Sequence, residues 1–118
     1  MTDLTFDEYD PTGLPASVAA FEVALDSRDA AAALPLLATD VEVTDEGRTY
    51  TGPDGVTAWL ASAASQYTYT TAYTGQQVDG ERVVVRTHLE GNFPGGVADL
   101  YHRYTVLDGR IARLVIES

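Results

Sequence analysis

The sequence contains no cysteine, and it has no run of 18 or more apolar residues. The first absence excludes a disulfide framework and thiolate chemistry. The second argues against a membrane-spanning helix, which needs an apolar stretch of about that length. The N-terminal stretch, MTDLTFDEYDPTG, is acidic and lacks the apolar segment of a signal peptide. Together these absences predict a cytoplasmic protein.

Basic residues are also scarce. Seven bases stand against 18 acids among 118 residues, which gives a formal net charge of −11. Because phosphate groups are bound by basic surfaces, we expect no nucleic-acid partner, and an anionic membrane surface is disfavoured for the same reason. The acidity favours solubility and is compatible with a neutral, apolar small-molecule ligand. The length is that of one domain.

Helical patterns occupy the first half of the chain. Residues 1–13 are polar and are expected to form a loose N-terminal arm. An apolar stripe at spacings of four, three and four then predicts a first helix; it is formed by Leu14, Val18, Phe21 and Leu25. Asp29 is placed to cap a short second helix, which Pro35 should kink or shorten. A third helix begins near Gly52-Pro53-Asp54.

Alternation of apolar and polar residues predicts strands in most of the remaining chain. It is found in residues 41–45, 67–74, 83–90 and 97–117. We therefore expect residues 14–118 to form a single α+β domain. Its two layers would be three N-terminal helices and a curved, mainly antiparallel sheet that they cover on one face.

The register of the last hairpin decides which of its residues face inward. A two-residue turn at Asp108-Gly109 turns His102 outward. A three-residue loop with Gly109 in the left-handed region shifts the pairing by one, so that His102 and Tyr104 join Leu114 on the inner face. We prefer the second register because it groups apolar side chains on one face.

Five short motifs, in this order and spacing, resemble those of a known superfamily. They are Ser27-Arg28-Asp29, residues 36–41 (LLATDV), Gly52-Pro53-Asp54-Gly55, Phe93-Pro94-Gly95-Gly96 and Asp108-Gly109-Arg110-Ile111. Over residues 14–117 the chain resembles the nuclear transport factor 2-like superfamily. Within it, the chain is similar to the bacterial branch of polyketide-cyclase-like (SnoaL-like) and ketosteroid-isomerase-like proteins.

The resemblance implies a cone-shaped, cystatin-like fold with a pocket between the concave sheet face and the helices. It also implies a homodimer through the outer sheet face. In this chain that face would present Val84, Tyr101, Thr105, Ile111 and Val115. The fold hosts isomerases, cyclases, dehydratases, hydrolases and transport factors, so the resemblance does not name an activity.

Asp45 and His102 are the candidate catalytic residues. Alternation places Asp45 on the inward face with Val41 and Val43, where a carboxylate beside a pocket suits a general base. The resemblance to ketosteroid isomerase matches its position with that of the proton-abstracting aspartate. The alternative is that Asp45 only begins the turn to Arg48.

His102 faces inward in the preferred register, where it would donate a hydrogen bond to a developing oxyanion or relay a proton with Asp45. The alternative is a core histidine bonded to a tyrosine or a backbone carbonyl. His88 lies on the opposite face of its strand, and no acids stand at ligand spacing. We therefore expect no metal site, and no phosphate-binding loop or other cofactor motif is present.

Eight further residues are expected to line the pocket: Phe21, Tyr50, Trp59, Tyr69, Val85, Leu89, Tyr104 and Leu114. One of them departs from the isomerase pattern, because Phe21 stands where the isomerase has its oxyanion-hole tyrosine. Steroid isomerisation by the same mechanism is therefore not expected.

The leading hypothesis is a small-molecule-binding domain with an apolar pocket. If it is catalytic, it acts as a cofactor-free isomerase, cyclase or dehydratase by proton transfer. The alternative is a non-catalytic ligand carrier or sensor, or a dimeric module with a vestigial pocket. A protein-transport adaptor is the weakest reading, since no partner motif is present.

Overall fold

The computed structural model describes residues 6–64 and 67–118. Its helices are α1 (Ala16–Ser27), α2 (Ala30–Ala33) and α3 (Gly52–Ala64), with short 3₁₀ turns at Pro11–Gly13 and Leu34–Leu36. Its strands are β1 (Leu37–Asp45), β2 (Arg48–Thr51), β3 (Tyr69–Asp79), β4 (Arg82–Gly91), β5 (Val97–Leu107) and β6 (Arg110–Glu117). No helix in these ranges is long and apolar enough to cross a membrane.

The six strands form one sheet in the order β2-β1-β6-β5-β4-β3. Only β1 and β6 run parallel to each other; the other neighbours are antiparallel. The helices cover one face of this sheet, and α3 packs against β1 and β2. The α+β two-layer fold predicted from the sequence is confirmed.

The helices form where the sequence predicted them. The apolar stripe of α1 is buried against the sheet, and Phe21 and Val18 are completely inaccessible to solvent. Asp29 caps α2, since its Oδ1 accepts a hydrogen bond of 3.1 Å from the backbone N–H of Ala32. Pro35 lies in the 3₁₀ turn that ends this helix after one turn, as expected of a residue that cannot continue the helical hydrogen bonds.

The expected N-terminal arm is attached to the domain over its described part, residues 6–13. Asp7 pairs with Gln76 at the free edge of β3 through two backbone hydrogen bonds. The side-chain amide of Gln76 also bonds both the N–H and the C=O of Asp10, and Tyr9 stacks on Tyr73 at 4.5 Å. The expectation of a loose arm is therefore wrong for residues 6–13, because paired backbone groups and a stacked ring hold them.

The hairpin of β5 and β6 has the predicted register for a different reason. Asp108 and Gly109 both have positive φ, 51° and 77°, so the turn is a two-residue turn of the primed type. The pairing then shifts by one within β6, where Ala112 is the extra residue of a bulge. Beyond that bulge Tyr104 pairs with Leu114. The inward position of His102 thus depends on the bulge and not on a three-residue loop.

The bulge also changes the face of the sheet on which one residue lies. The resemblance places Ile111 on the outer sheet face, but Ile111 is completely buried, as is Leu114 three residues later. Residues three apart share a face of a strand only when an extra residue intervenes, because side chains otherwise alternate. Ile111 therefore belongs to the core and not to the outer face.

His88 lies on the outer face, as its parity predicted. Its Nδ1 is 2.7 Å from Asp99 Oδ1 on β5, and its Nε2 is 2.9 Å from Glu90 Oε2. These two hydrogen bonds to carboxylates raise the pKa of His88 above its ordinary value of 6.5.

We expect an NMR titration to find the pKa of the His88 ring above 6.5, and Asp99→Asn to lower it. Because the pKa is higher in the folded protein, the charged pairs stabilise it fully below the unfolded pKa of about 6.5. That contribution is lost as pH rises through the folded pKa. A His88 pKa at or below 6.5 would contradict the geometry.

Candidate functional site

A cavity of about 560 Å³ opens between the helices and the inner sheet face. Its aromatic lining consists of Tyr50, Trp59, Tyr67, Tyr69 and Phe93. Its charged or titratable lining consists of Asp26, Arg28, Asp45, Glu46, Arg48 and His102. The expectation of an apolar pocket therefore describes only part of this surface, because the ends of β1 and α1 bring charged side chains to its rim.

Six of the ten residues predicted for the site line this cavity: Asp45, His102, Tyr50, Trp59, Tyr69 and Leu89. The other four do not line it and are buried in the core: Phe21, Val85, Tyr104 and Leu114. These four side chains lie deeper in the core than the residues that line the cavity. The ring of Phe21 on α1 meets that of Tyr104 edge to face at 6.1 Å, so helix packing fills this end of the sheet.

Asp45 ends β1 at the cavity, half-buried, where it pairs with Arg48 across the turn to β2. Its Oδ2 accepts a hydrogen bond of 3.0 Å from the indole Nε1–H of Trp59 on α3. Trp59 itself is only 2% exposed. The indole therefore holds the carboxylate of Asp45 in one orientation at the cavity wall.

His102 is held in place by a buried acid on α1. Its Nδ1 lies 2.8 Å from Oε2 of Glu22, and the Tyr104 hydroxyl donates a hydrogen bond to the same oxygen. Glu22 is 1% exposed and His102 is 6% exposed. Since Nδ1 is used by Glu22, Nε2 is the ring nitrogen available to a molecule in the cavity.

The buried carboxylate also affects the surrounding tyrosines. Burial and the nearby Glu22 raise the pKa of Tyr104 well above its ordinary value. Burial, together with a hydrogen bond that its hydroxyl donates to Asp26, raises the pKa of Tyr73. Both phenols therefore stay protonated at neutral pH and act as hydrogen-bond donors to these carboxylates.

Glu22 is the site residue that the sequence interpretation missed. A signal for it was present, because Val18, Phe21, Glu22 and Leu25 stand at positions i, i+3, i+4 and i+7 of one helix face. An acid in the i+4 position of an apolar stripe is buried when the helix packs. Such a carboxylate needs partners, and the two donors on β5 supply them.

Arg28 and Arg48 bring positive charge to the cavity rim. The guanidinium of Arg28 lies over the ring of Tyr69, 5.4 Å from its centroid. Partial burial lowers the pKa of Arg28, and the charges of Asp26 and Asp45 oppose that shift.

Within residues 6–64 and 67–118, no group of three or more His, Cys, Asp or Glu side chains is arranged to hold a metal ion.

A helix layer over a mainly antiparallel sheet, with a cavity between them, defines the nuclear transport factor 2-like class with its cystatin-like fold. The model of the SnoaL-like domain family matches residues 18–114. The chain belongs to this family.

Solved structures agree with this assignment. A candidate polyketide cyclase from Sinorhizobium meliloti is 32% identical, with a TM-score of 0.86 over 92% of this chain and 100% of that one. TerC, crystallised with polyporic acid, is 23% identical, with a TM-score of 0.75 over 92% and 91% of the two chains.

A Mycobacterium tuberculosis protein in complex with estradiol-17β-hemisuccinate is 16% identical, with a TM-score of 0.70 over 87% of this chain and 91% of that one. At these identities, the second and third similarities concern the fold alone. No functionally curated protein matches the chain.

We expect Glu22→Ala to lower the free energy of unfolding by about 3 kcal/mol, because it leaves two buried polar side chains without their shared acceptor. The matched control is Val23→Ala, the next residue on the same helix, which is 69% exposed. It should change stability by less than about 0.5 kcal/mol. Urea denaturation of both variants measures the difference, and equal midpoints would contradict the role of Glu22.

Proposed function

We propose that this protein binds a flat, mostly apolar small molecule in the cavity and transfers a proton on it without a cofactor. The observation that carries the proposal is His102. It is a buried imidazole in the cavity wall, bonded through Nδ1 to Glu22. A histidine oriented by a carboxylate is suited to general acid–base catalysis near neutral pH.

The proposed step begins at a carbon next to a carbonyl of the ligand. Nε2 of His102 takes a proton from that carbon, and the electron pair of the broken C–H bond moves onto the carbonyl oxygen as an enolate. Glu22 stabilises the imidazolium that forms. If a C=C bond is conjugated with the enolate, the imidazolium of His102 returns the proton to the far carbon of that bond, which is an isomerisation. Alternatively, the enolate carbon attacks a second carbonyl of the same molecule, the π electrons of that carbonyl move onto its oxygen, and this oxygen takes the proton from the imidazolium, which closes a ring.

Asp45 is the second proposed catalytic group. It lines the same cavity, and its bond from Trp59 engages only Oδ2. A carboxylate can accept further hydrogen bonds. We propose that Asp45 either takes the first proton, with His102 as the acid, or returns the proton that His102 has taken. Substitution of each residue shows whether both groups take part in the proton transfer.

The relatives support the proposed ligand class. The structure from Sinorhizobium meliloti is named as a candidate polyketide cyclase, and two more distant structures hold polyporic acid and a steroid ester. A cavity of about 560 Å³ is within the size range of small-molecule sites in proteins. The aromatic side chains in its wall suit a flat ligand.

A non-catalytic carrier or sensor is the second candidate. The bond between Trp59 and Asp45 favours it, because that bond gives Asp45 a structural reason to be present. A vestigial pocket is disfavoured, since a cavity of this size holds much more than a few waters. The cytoplasmic location stays a prediction from the sequence.

The proton-transfer proposal predicts exchange of the α-hydrogens of a bicyclic ketone such as 2-tetralone. In D₂O, the wild-type protein should accelerate this exchange, followed by NMR. His102→Gln should slow it about 100-fold, the usual scale of general acid–base catalysis. His88→Gln is the matched control, because His88 lies on the outer sheet face, and it should leave the rate unchanged.

Asp45→Asn completes this experiment. A loss as large as that of His102→Gln would assign Asp45 an essential part in proton transfer, whereas an unchanged rate would remove it from the mechanism. Binding of 2-tetralone without any acceleration would favour the carrier. Equal rates in wild type and His102→Gln would exclude His102 as the catalytic group.

We also propose a homodimer through the outer sheet face. Of the expected strip, Val84, Tyr101, Thr105 and Val115 are partly exposed on β4, β5 and β6, whereas Ile111 is in the core. A shallow groove of about 290 Å³ runs beside Val84 and Val115. Partly exposed apolar side chains on a sheet face suit burial against a second copy.

The dimer predicts a molecular mass twice that of one chain in sedimentation or light scattering. Val84→Arg should shift the protein to the monomer, because each of the two subunits would then place an additional positive charge in the buried interface. Val23→Arg is the control, since Val23 is exposed on α1, away from the sheet, and it should leave the mass unchanged. A monomeric wild-type protein at micromolar concentration would contradict the proposal.

A further inference from the structure

Arg28 occupies a backbone position that favours glycine. It caps the C-terminus of α1 with φ 55° and ψ 37°, in the left-handed region. Its N–H closes the helix on the carbonyls of Ala24 and Leu25. Glycine serves such a cap without the roughly 1 kcal/mol of steric cost that other residues bear. The left-handed backbone therefore does not favour an arginine here. Its charge at the C-terminus of α1 interacts favourably with the helix dipole, but that effect does not require the guanidinium to lie over Tyr69.

The side chain of Arg28 points to the cavity. Its guanidinium lies over the Tyr69 ring, and both residues line the cavity wall. A guanidinium stacked on a ring keeps its N–H groups free at the edge of its plane. Within the ranges that the structure describes, its guanidinium makes no hydrogen bond or ion pair with another side chain.

The two carboxylates whose charges raise the pKa of Arg28 accept hydrogen bonds from other donors. Asp26 accepts from the hydroxyl of Tyr73, and Asp45 accepts from the indole of Trp59. Burial lowers the pKa of Arg28, and the charges of Asp26 and Asp45 offset this only in part. The cavity wall thus holds a half-buried cation whose donors have no acceptor among these side chains.

We infer that Arg28 binds an anionic oxygen of the cavity's ligand: an ionised enol, phenol or carboxyl on a flat aromatic body. The inference rests on the proposed function, because it requires the cavity to bind a small molecule. Arginine suits this role, since its planar donors match a carboxylate or an enolate. In the proposed reaction the same contact would stabilise the enolate that proton removal creates.

An organic cation is the rival occupant. Asp45 and Glu46 also line the cavity, the chain carries a formal charge of −11, and aromatic walls attract ammonium groups. We favour the anion because the carboxylates of Asp26 and Asp45 already accept hydrogen bonds and Glu46 is exposed in the turn after β1, whereas the half-buried guanidinium of Arg28 has no side-chain acceptor. The test therefore compares anionic, neutral and cationic probes on one ring system.

The probes are 2-naphthoate, 2-naphthamide and (2-naphthyl)methylammonium. Calorimetry measures the affinity of each, and the indole N–H signal of Trp59, the only tryptophan of the chain, reports binding in the cavity. Wild type should bind 2-naphthoate about tenfold more tightly than 2-naphthamide, the scale of one charge-assisted contact. Arg28→Gln should reduce that ratio to about one, and Arg28→Lys should retain part of it.

Two further variants test the origin of the preference. Arg28→Gly should lose it while the urea midpoint stays equal or rises, because glycine fits the left-handed backbone. Arg110→Gln removes the same charge from the exposed first residue of β6, outside the cavity, and should keep the preference. A preference lost equally in both would reflect net charge alone and would overturn the inference.

The remaining outcomes separate this inference from the proposed function. Equal binding of all three probes, tighter binding of the ammonium, or a preference that survives Arg28→Gln would overturn the role of Arg28. Each of these would leave the cavity as a small-molecule site. If no probe shifts the Trp59 signal, both the inference and the proposed class of flat ligand fail.

Discussion

The buried carboxylate of Glu22 is the group on which the site depends. It joins α1 to β5 through His102 and Tyr104, residues 80 and 82 positions away in sequence. A carboxylate that is 1% exposed is tolerated only with donors in place. The helix must therefore pack in one orientation over the sheet, and in that orientation the imidazole faces the cavity. The packing of α1 on the sheet and the orientation of His102 in the cavity therefore depend on the same contact.

The cavity has two walls of different character. In one wall, Trp59 of α3 orients Asp45 through a hydrogen bond. In the other, Glu22 of α1 orients His102. Aromatic side chains provide the apolar part, and Arg28 and Arg48 place positive charge at the rim of an acidic protein. This combination suits a flat ligand that has an apolar body and a polar edge. It suits a purely hydrocarbon ligand less well, since the charged groups would be desolvated without compensation.

Much of the fold followed from local patterns. The stripe of α1, the Asp29 cap and the alternation in β4 depend on neighbouring residues, so short-range periodicity predicts them. The site was predictable in part, because parity put Asp45 on the inner face, whereas the orientation of His102 depended on the register of the last hairpin. Depth was not predictable: Phe21 and Val85 share that face but lie beneath the cavity floor. How far a helix sinks onto a sheet depends on side-chain volumes from both layers.

The sequence by itself determined the α+β class, the order of the elements and the faces of most strands, because helix and strand periods are local properties. Only the tertiary structure decided three other features. They are the bulge at Ala112 that turns His102 inward, the pairing of Glu22 with two residues of β5, and the position of Arg28 over Tyr69. Each joins groups far apart in the chain, and a contact of that kind exists only once the layers have packed.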